Sequence, residues 1–261
     1  MENKYLGRED APIGPETWKA LDSTMTEAAK SILAGRRLLH IEGPYGLGLK
    51  AVPLQDIRSE NGIITSSFVP VSWIYKTFML GKRDIAAAEK EGMPINTAPV
   101  AGAALEAATL EEALIFEGLR QAPGLMTSKG SSEQKLSAWD SMGKAVEDII
   151  AAVTNLDKSG FHGPYTLALA PGRYNLLFRR YPQGGTELEY LQALVTDGIF
   201  KAPILGGGGV LLASGKQYAS IVLGQDMSLG FIGPAGECLE FSVSESLALL
   251  VREPKAVCVL K

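Results

Sequence analysis

The chain has 261 residues, of which 46% are hydrophobic and 21% charged, with a formal net charge of −4. That balance suits a soluble globular protein of one large or two modest domains. It contains no run of about eighteen apolar residues, which excludes a membrane-spanning helix.

The charged opening, Met1-Glu2-Asn3-Lys4-Tyr5-Leu6-Gly7-Arg8-Glu9-Asp10, lacks an apolar stretch. A signal peptide is therefore not expected, and a cytoplasmic location is. Lys and Arg are scattered, adjacent only at Arg36-Arg37, Lys82-Arg83 and Arg179-Arg180. With the acidic balance, this argues against a nucleic-acid partner.

In chain order, Trp18, Leu21, Met25, Ala28, Ala29, Ile32 and Leu33 recur at helical spacing behind Pro15, predicting a helix over 15–34 that ends at a left-handed Gly35. A short strand, Leu38 to Ile41, then runs into the tight turn Gly43-Pro44-Tyr45-Gly46-Leu47-Gly48. Two alternating arms, Leu49 to Ile57 and Ser67 to Leu80, flank the polar tip Ser59-Glu60-Asn61-Gly62. This predicts a ribbon exposed on both sides. A lone ribbon is barely stable in water, so it needs another surface, a neighbouring subunit.

Residues 99–121 form the clearest predicted helix, with Leu105, Ala108, Leu110, Leu114, Ile115 and Leu119 as its apolar stripe and Pro123-Gly124 as its stop. The polar loop Thr127 to Gln134 separates it from a second helix, about 138–159, carrying Trp139, Met142, Val146, Ile149, Ile150, Val153 and Leu156. Beyond Gly160 the pattern predicts the buried strand Tyr165 to Ala170, a stop at Pro171-Gly172, a helix from Tyr174 and another over 186–197. A four-glycine hairpin turn at Gly206 to Gly209 precedes the strand Val210 to Ser214, and further strands fill 219–223, 227–232, 239–251 and 257–260. Cys238 and Cys258 read as buried free thiols.

Neither glycine-rich segment is followed by the helix that a phosphate loop requires. The only histidines, His40 and His162, have no second ligand or base at useful spacing, and no Gly-x-Ser-x-Gly elbow anchors a serine nucleophile. Glu111 and Glu112 are expected on different helix faces, unpaired. The sequence carries no visible catalytic or metal-binding constellation.

Five segments fall in a telling order: Ala34-Gly35-Arg36-Arg37 with Glu42-Gly43-Pro44-Tyr45-Gly46, Ala113 to Gly118 before Pro123-Gly124-Leu125, Gly163 to Leu167, Leu223 to Gly230, and Glu253-Pro254. With Trp18 and Asp22, they make the whole chain resemble the encapsulins, bacterial and archaeal shell proteins that assemble around a cargo enzyme. The resemblance implies an α+β subunit with the tailed-phage major capsid protein-like fold. In it, 1–48 hold the first helix and the start of a peripheral domain, 49–80 an extended loop, 81–130 the long helix, 131–222 an axial domain and 223–261 the peripheral C-terminal strands.

The same resemblance implies a homo-oligomeric icosahedral shell that is not itself an enzyme and carries no cofactor or metal. Its cargo would be a ferritin-like iron-storage protein or a dye-decolourising peroxidase, serving iron storage or oxidative-stress defence. A C-terminal targeting peptide on that cargo would dock in a luminal groove. That groove maps onto Ala29, Leu33, Arg36, Leu38 and His40. Core packing is an equal reading for Leu33 and Leu38, whereas exposed Arg36 and His40 separate the two readings. A fivefold pore would be lined by Tyr181, Pro182, Gln183, Gly184 and Gly185, with a plain surface turn as the alternative. Some relatives stack a flavin on a Trp just after the extended loop. Here Leu80-Gly81-Lys82-Arg83-Asp84 offers no aromatic platform, so flavin binding by that mode is not expected. The rival readings are a phage or prophage capsid packaging DNA, a bacteriocin or protease, and a plain binding domain.

Overall fold

A computed structural model describes residues 3–261. Pro15 in the first turn and the i, i+4 series Thr17, Leu21, Met25, Ala29, with Trp18 beside it, give the helix Pro15–Ile32 one buried face. Leu33, extended, ends it; Gly35 is not left-handed but opens a single helical turn, Gly35–Leu38. The reason is space: a Cβ on Gly35 would lie 2.6 Å from Ile115 Cδ1, so the glycine serves close approach to the central helix.

That central helix spans Ala98–Phe116, shorter than the pattern suggests, and its buried face differs from the expected one. Val100, Ala103, Ala104, Ala107, Ala108, Glu111, Glu112, Ile115 and Phe116 are buried, while Leu105 and Leu110 face outward. Alanines at i, i+3 and i+4 let the first helix on one side and a sheet on the other come close. Pro123-Gly124 is not its stop. The chain turns first at Gly118, whose φ of 75° and missing side chain admit a tight pairing of Gly118–Leu119 with Ala122–Pro123. A Cβ there would sit 2.1 Å from the Gly124 nitrogen.

The first sheet is ordered His40–Glu42, Ala219–Ala235, Cys238–Val251, Ser72–Gly81. Its two long strands form one continuous antiparallel pair, with irregular register between Leu223 and Ser228. Trp18 meets Phe241 edge-on at 5.7 Å, and Phe78 stacks on Phe241 at 5.5 Å. Full burial of one such ring contributes roughly 1.5–3 kcal/mol.

The ribbon is shorter than expected, being Ala51–Arg58 paired with Ile64–Pro70. Its presumed second half, Ser72–Gly81, belongs instead to the first sheet, where Ile74, Phe78 and Leu80 point inward and Trp73, Tyr75 and Met79 outward. Leu54, Ile57, Ile63, Ile64 and Phe68 are all exposed. Of the turn expected over Gly43 to Gly48, the second half is one, closed by the Leu49 amide on the Gly46 carbonyl (3.1 Å), whereas the Tyr45 and Gly46 amides donate to the carbonyls of Leu223 and Gly224 and extend the sheet edge.

The second sheet is ordered Ser132–Gln134, Val257–Leu260, Gly209–Ala213, Tyr165–Leu169, Ile199–Lys201. Val257–Leu260 thus leaves the other C-terminal strands and sits inside this sheet. Gly206 to Gly209 is not a hairpin turn, because Tyr165–Leu169 lies between the strands it connects. Helix Lys144–Lys158 covers this sheet through Ile149, Val153 and Leu156, while Met142 and Ile150 are exposed. Trp139 precedes the helix in a left-handed conformation with φ 56°. Its indole nitrogen donates to Asp148 (2.7 Å) and its carbonyl accepts from Arg179 (2.7 Å), which hold that backbone in place. Two shorter helices follow: Pro171–Leu176, which begins at the proline expected to stop a strand, and Glu187–Leu194, capped by Thr186 and Glu189. Cys258 is buried, whereas Cys238 is only half-buried.

Candidate functional site

Where the first helix meets the irregular register of Ala219–Ala235, a groove of about 440 Å³ opens. Met25, Ala29, Leu33 and Met227 give it an apolar lining, with Ala108 beneath Ala29 and Leu33. Lys30, Arg36, Arg37 and Asp226 supply its polar edge. The register irregularity turns Asp226 and Met227 out of the sheet and toward the groove. Asp226 is held there by accepting the Met227 amide (2.9 Å).

Arg36 is the centre of the polar edge, but it is not the free, exposed residue that the sequence suggests. Its Nε and Nη2 donate to Glu111 Oε1 and Oε2 at 2.7 and 2.9 Å, Nη2 also donates to Glu245 Oε2 at 2.7 Å, and Nη1 to Asp226 Oδ1 at 2.6 Å. Burial opposes the guanidinium charge, yet its carboxylate partners outweigh this and raise its pKa. Glu111 and Glu112, expected on different helix faces and unpaired, are both fully buried. Glu112 accepts the Gly35 amide at 2.8 Å, and burial pushes its carboxyl up to about 7. Burial and the neighbouring Glu111 hold the Glu245 carboxyl far above the usual carboxylate range.

Of the five residues assigned to the groove, Ala29, Leu33 and Arg36 meet there. Leu38 and His40 do not. The turn Gly35–Leu38 redirects the chain, burying Leu38 and placing exposed His40 on a sheet edge, beside a separate polar cleft with Thr166 and Lys216. Missing from the sequence reading were Met25, Lys30, Asp226, Met227, Glu111 and Glu245. Met25 was visible in the helical stripe; Asp226 and Met227 lay within the Leu223 to Gly230 segment, where their adjacency to Gly224 hinted at an irregular strand.

The first helix also borders a wider cleft of about 910 Å³, where Arg8 donates twice to Asp22 and stacks on Trp18 at 4.0 Å. Tyr181 to Gly185 form an exposed turn, closed by the Gly184 amide to the Tyr181 carbonyl (2.9 Å) and braced by Tyr181 against Tyr190. His162 Nδ1 lies 3.1 Å from Asp157, which also accepts from Tyr165 at 2.6 Å, an arrangement that ties a loop to the second sheet. Among the described residues no group of three or more His, Cys, Asp or Glu could hold a metal ion, and no helix is long and apolar enough to cross a membrane.

Comparison with known proteins bears on this arrangement. The family described as "Encapsulating protein for peroxidase" matches residues 2–248. The type 1 encapsulin shell protein EncA of Myxococcus xanthus is 32% identical over 276 residues, covering 98% of this chain and 96% of that one. A ferritin-like–encapsulin shell fusion protein of Pyrococcus furiosus is 27% identical over 209 residues, 78% of this chain and 57% of that one. Among solved structures, a virus-like particle from Pyrococcus furiosus superposes with a TM-score of 0.76 at 24% identity, covering 94% of this chain and all (100%) of that one. The capsid of Myoviridae phage XM1 does so at 0.58 and 14%, covering 85% and 88%. The fold is therefore the α+β tailed-phage capsid fold, and the chain belongs to the encapsulin shell-protein family.

Proposed function

We propose that this chain is a structural, non-enzymatic protein that assembles with copies of itself into a closed icosahedral compartment in the cytoplasm. The observation that carries the reading is the ribbon Ala51–Pro70, whose five exposed apolar side chains have too little of their own chain to cover them. A projecting arm that seats on the next copy makes a head-to-tail contact, and such contacts close into rings and shells when the rotation permits. The outward Leu105 and Leu110 of the central helix add apolar surface for the same purpose.

The groove at Ala29, Leu33 and Met227 is the docking site for a C-terminal targeting peptide on the cargo. Apolar pockets take alternate side chains of an extended peptide, and the charged edge fixes its direction. A ferritin-like domain fused to a relative's shell supports a ferritin-like cargo, and the matching family's description supports a peroxidase. The turn Tyr181 to Gly185 lines a pore for small solutes. No flavin is expected at Leu80 to Asp84, because Lys82, Arg83 and Asp84 open a helix there and present no aromatic face.

Sedimentation and electron microscopy of the purified protein test the reading. Closed particles free of nucleic acid are expected, and Ile57→Asp with Phe68→Asp should leave folded single chains. A wild-type protein that runs as a monomer sinks the proposal, and particles filled with DNA favour a capsid.

A further inference from the structure

Charges at the groove floor do not balance if every group is ionised. Arg36 is the one guanidinium against three carboxylates, Glu111, Glu245 and Asp226. Glu111 and Glu245 have no solvent exposure, and Glu245 Oε1 has no hydrogen-bond partner in its present arrangement. The two carboxyls share one donor nitrogen, Arg36 Nη2, which reaches Glu111 Oε2 at 2.9 Å and Glu245 Oε2 at 2.7 Å. Two buried carboxylates held on one donor nitrogen repel one another, and a second uncompensated charge in this interior is too costly unless one of them carries a hydrogen. A metal ion is not the counter-charge, since among the described residues no suitable ligand group exists.

We propose that Glu111 and Glu245 share one proton, and that this proton keeps Asp226 pinned on Arg36 and so sets the rim of the groove. The other charged groups nearby are Glu112, next to Glu111 on the central helix, and Arg37 and Lys30, which line the groove with Arg36. With the proton present, Glu111 and Glu245 together carry one charge, which Arg36 neutralises. The excess negative charge then rests on Asp226, whose side chain is 55% exposed. When the proton leaves for solvent, both buried carboxylates claim the guanidinium. Asp226 is the ligand that water can take over, so it is the one released. It carries Met227 away from the rim, at an irregular stretch of strand that can yield without breaking the sheet. The consequence for docking rests on the reading of the groove given above; the shared proton does not.

Infrared spectroscopy and unfolding of the assembled shell between pH 7 and 10 test this. At pH 9, where Glu112 with its carboxyl near 7 is ionised, the wild type should keep a protonated-carboxyl stretch that Glu245→Gln and Glu111→Gln each remove and Glu112→Gln leaves unchanged. A carboxyl protonated in the folded chain and ionised in the unfolded one lowers the folded-to-unfolded ratio about tenfold per pH unit. The wild type should therefore lose stability across this range, and Glu245→Gln should lose measurably less. Absence of the band in wild type, or equal pH slopes for wild type and Glu245→Gln, overturns the proposal. The wild-type spectrum decides even if a variant fails to fold. Neither readout involves a bound peptide, so failure here and failure of the docking reading are separate results.

Discussion

Two buried arginine–carboxylate sites serve the two halves of this molecule differently. In the second half, Arg179 donates to Glu187 Oε2 from Nε (3.1 Å) and Nη2 (2.7 Å), while Glu187 Oε1 accepts the Gly143 amide at 2.9 Å. One cation meets one carboxylate, and the guanidinium also donates to the carbonyls of Trp139, Ser141 and Leu176. Charge and hydrogen bonds both close, so the site is a staple for the loop before Lys144–Lys158. The Arg36 site has three carboxylates and leaves oxygens of Glu112 and Glu245 unpartnered. A balanced buried pair fixes a shape. An unbalanced one can store a proton and change shape, and here it borders the groove.

Four substitutions sharpen that contrast. Arg36→Met should be the most damaging, at about 4–5 kcal/mol in urea unfolding, because it strands the two fully buried carboxyls Glu111 and Glu245. Arg179→Met should cost about 3–4 kcal/mol, and hydrogen exchange should show the loop at Trp139 to Gly143 loosened with the groove unchanged. Equal loosening of both regions would break the distinction between the sites.

Glu112 gives a pH test. Its carboxyl, raised from 4.5 to about 7, is protonated in the folded chain where the unfolded chain has already ionised. Its stabilising contribution is complete below pH 4.5 and is lost as the pH rises to about 7, a span worth on the order of 3 kcal/mol. Glu112→Gln should remove that part of the slope in thermal unfolding, and an unchanged profile would refute it. The smallest effect is expected from Gly35→Ala, whose Cβ would press on Ile115. It should cost about 1–2 kcal/mol in urea unfolding.

The sequence exposed the local features and hid the distant ones. The first helix was legible because Leu21, Met25 and Ala29 repeat at its period, and the ribbon because its arms alternate around Asn61-Gly62. The ribbon's true end was not, since only pairing with Cys238–Val251 shows that Ser72–Gly81 is a sheet strand. On the central helix, large leucines drew the apolar stripe to the wrong face; alanines were buried because two neighbours crowd that side. Ala29, Leu33 and Arg36 were readable as one helix face continued by its first turn. Asp226 and Glu245, at 190 and 209 positions from Arg36, were not, because their approach is set by strand register.

The position of Val257–Leu260 in the second sheet bears on the order of events during synthesis. Ser132 pairs with Cys258, and Gly209 with Leu260, so neither can be satisfied until those late residues have left the ribosome. The ribbon's own pairing, by contrast, is complete at Pro70. On the reading of the ribbon proposed above, a nascent chain therefore displays the arm long before it offers a finished body for another arm to grasp. Long-range pairing of this kind folds slowly and leaves apolar surface open meanwhile. The interval between residues 70 and 260 is when polysome neighbours can tangle, and chaperone protection matters most there.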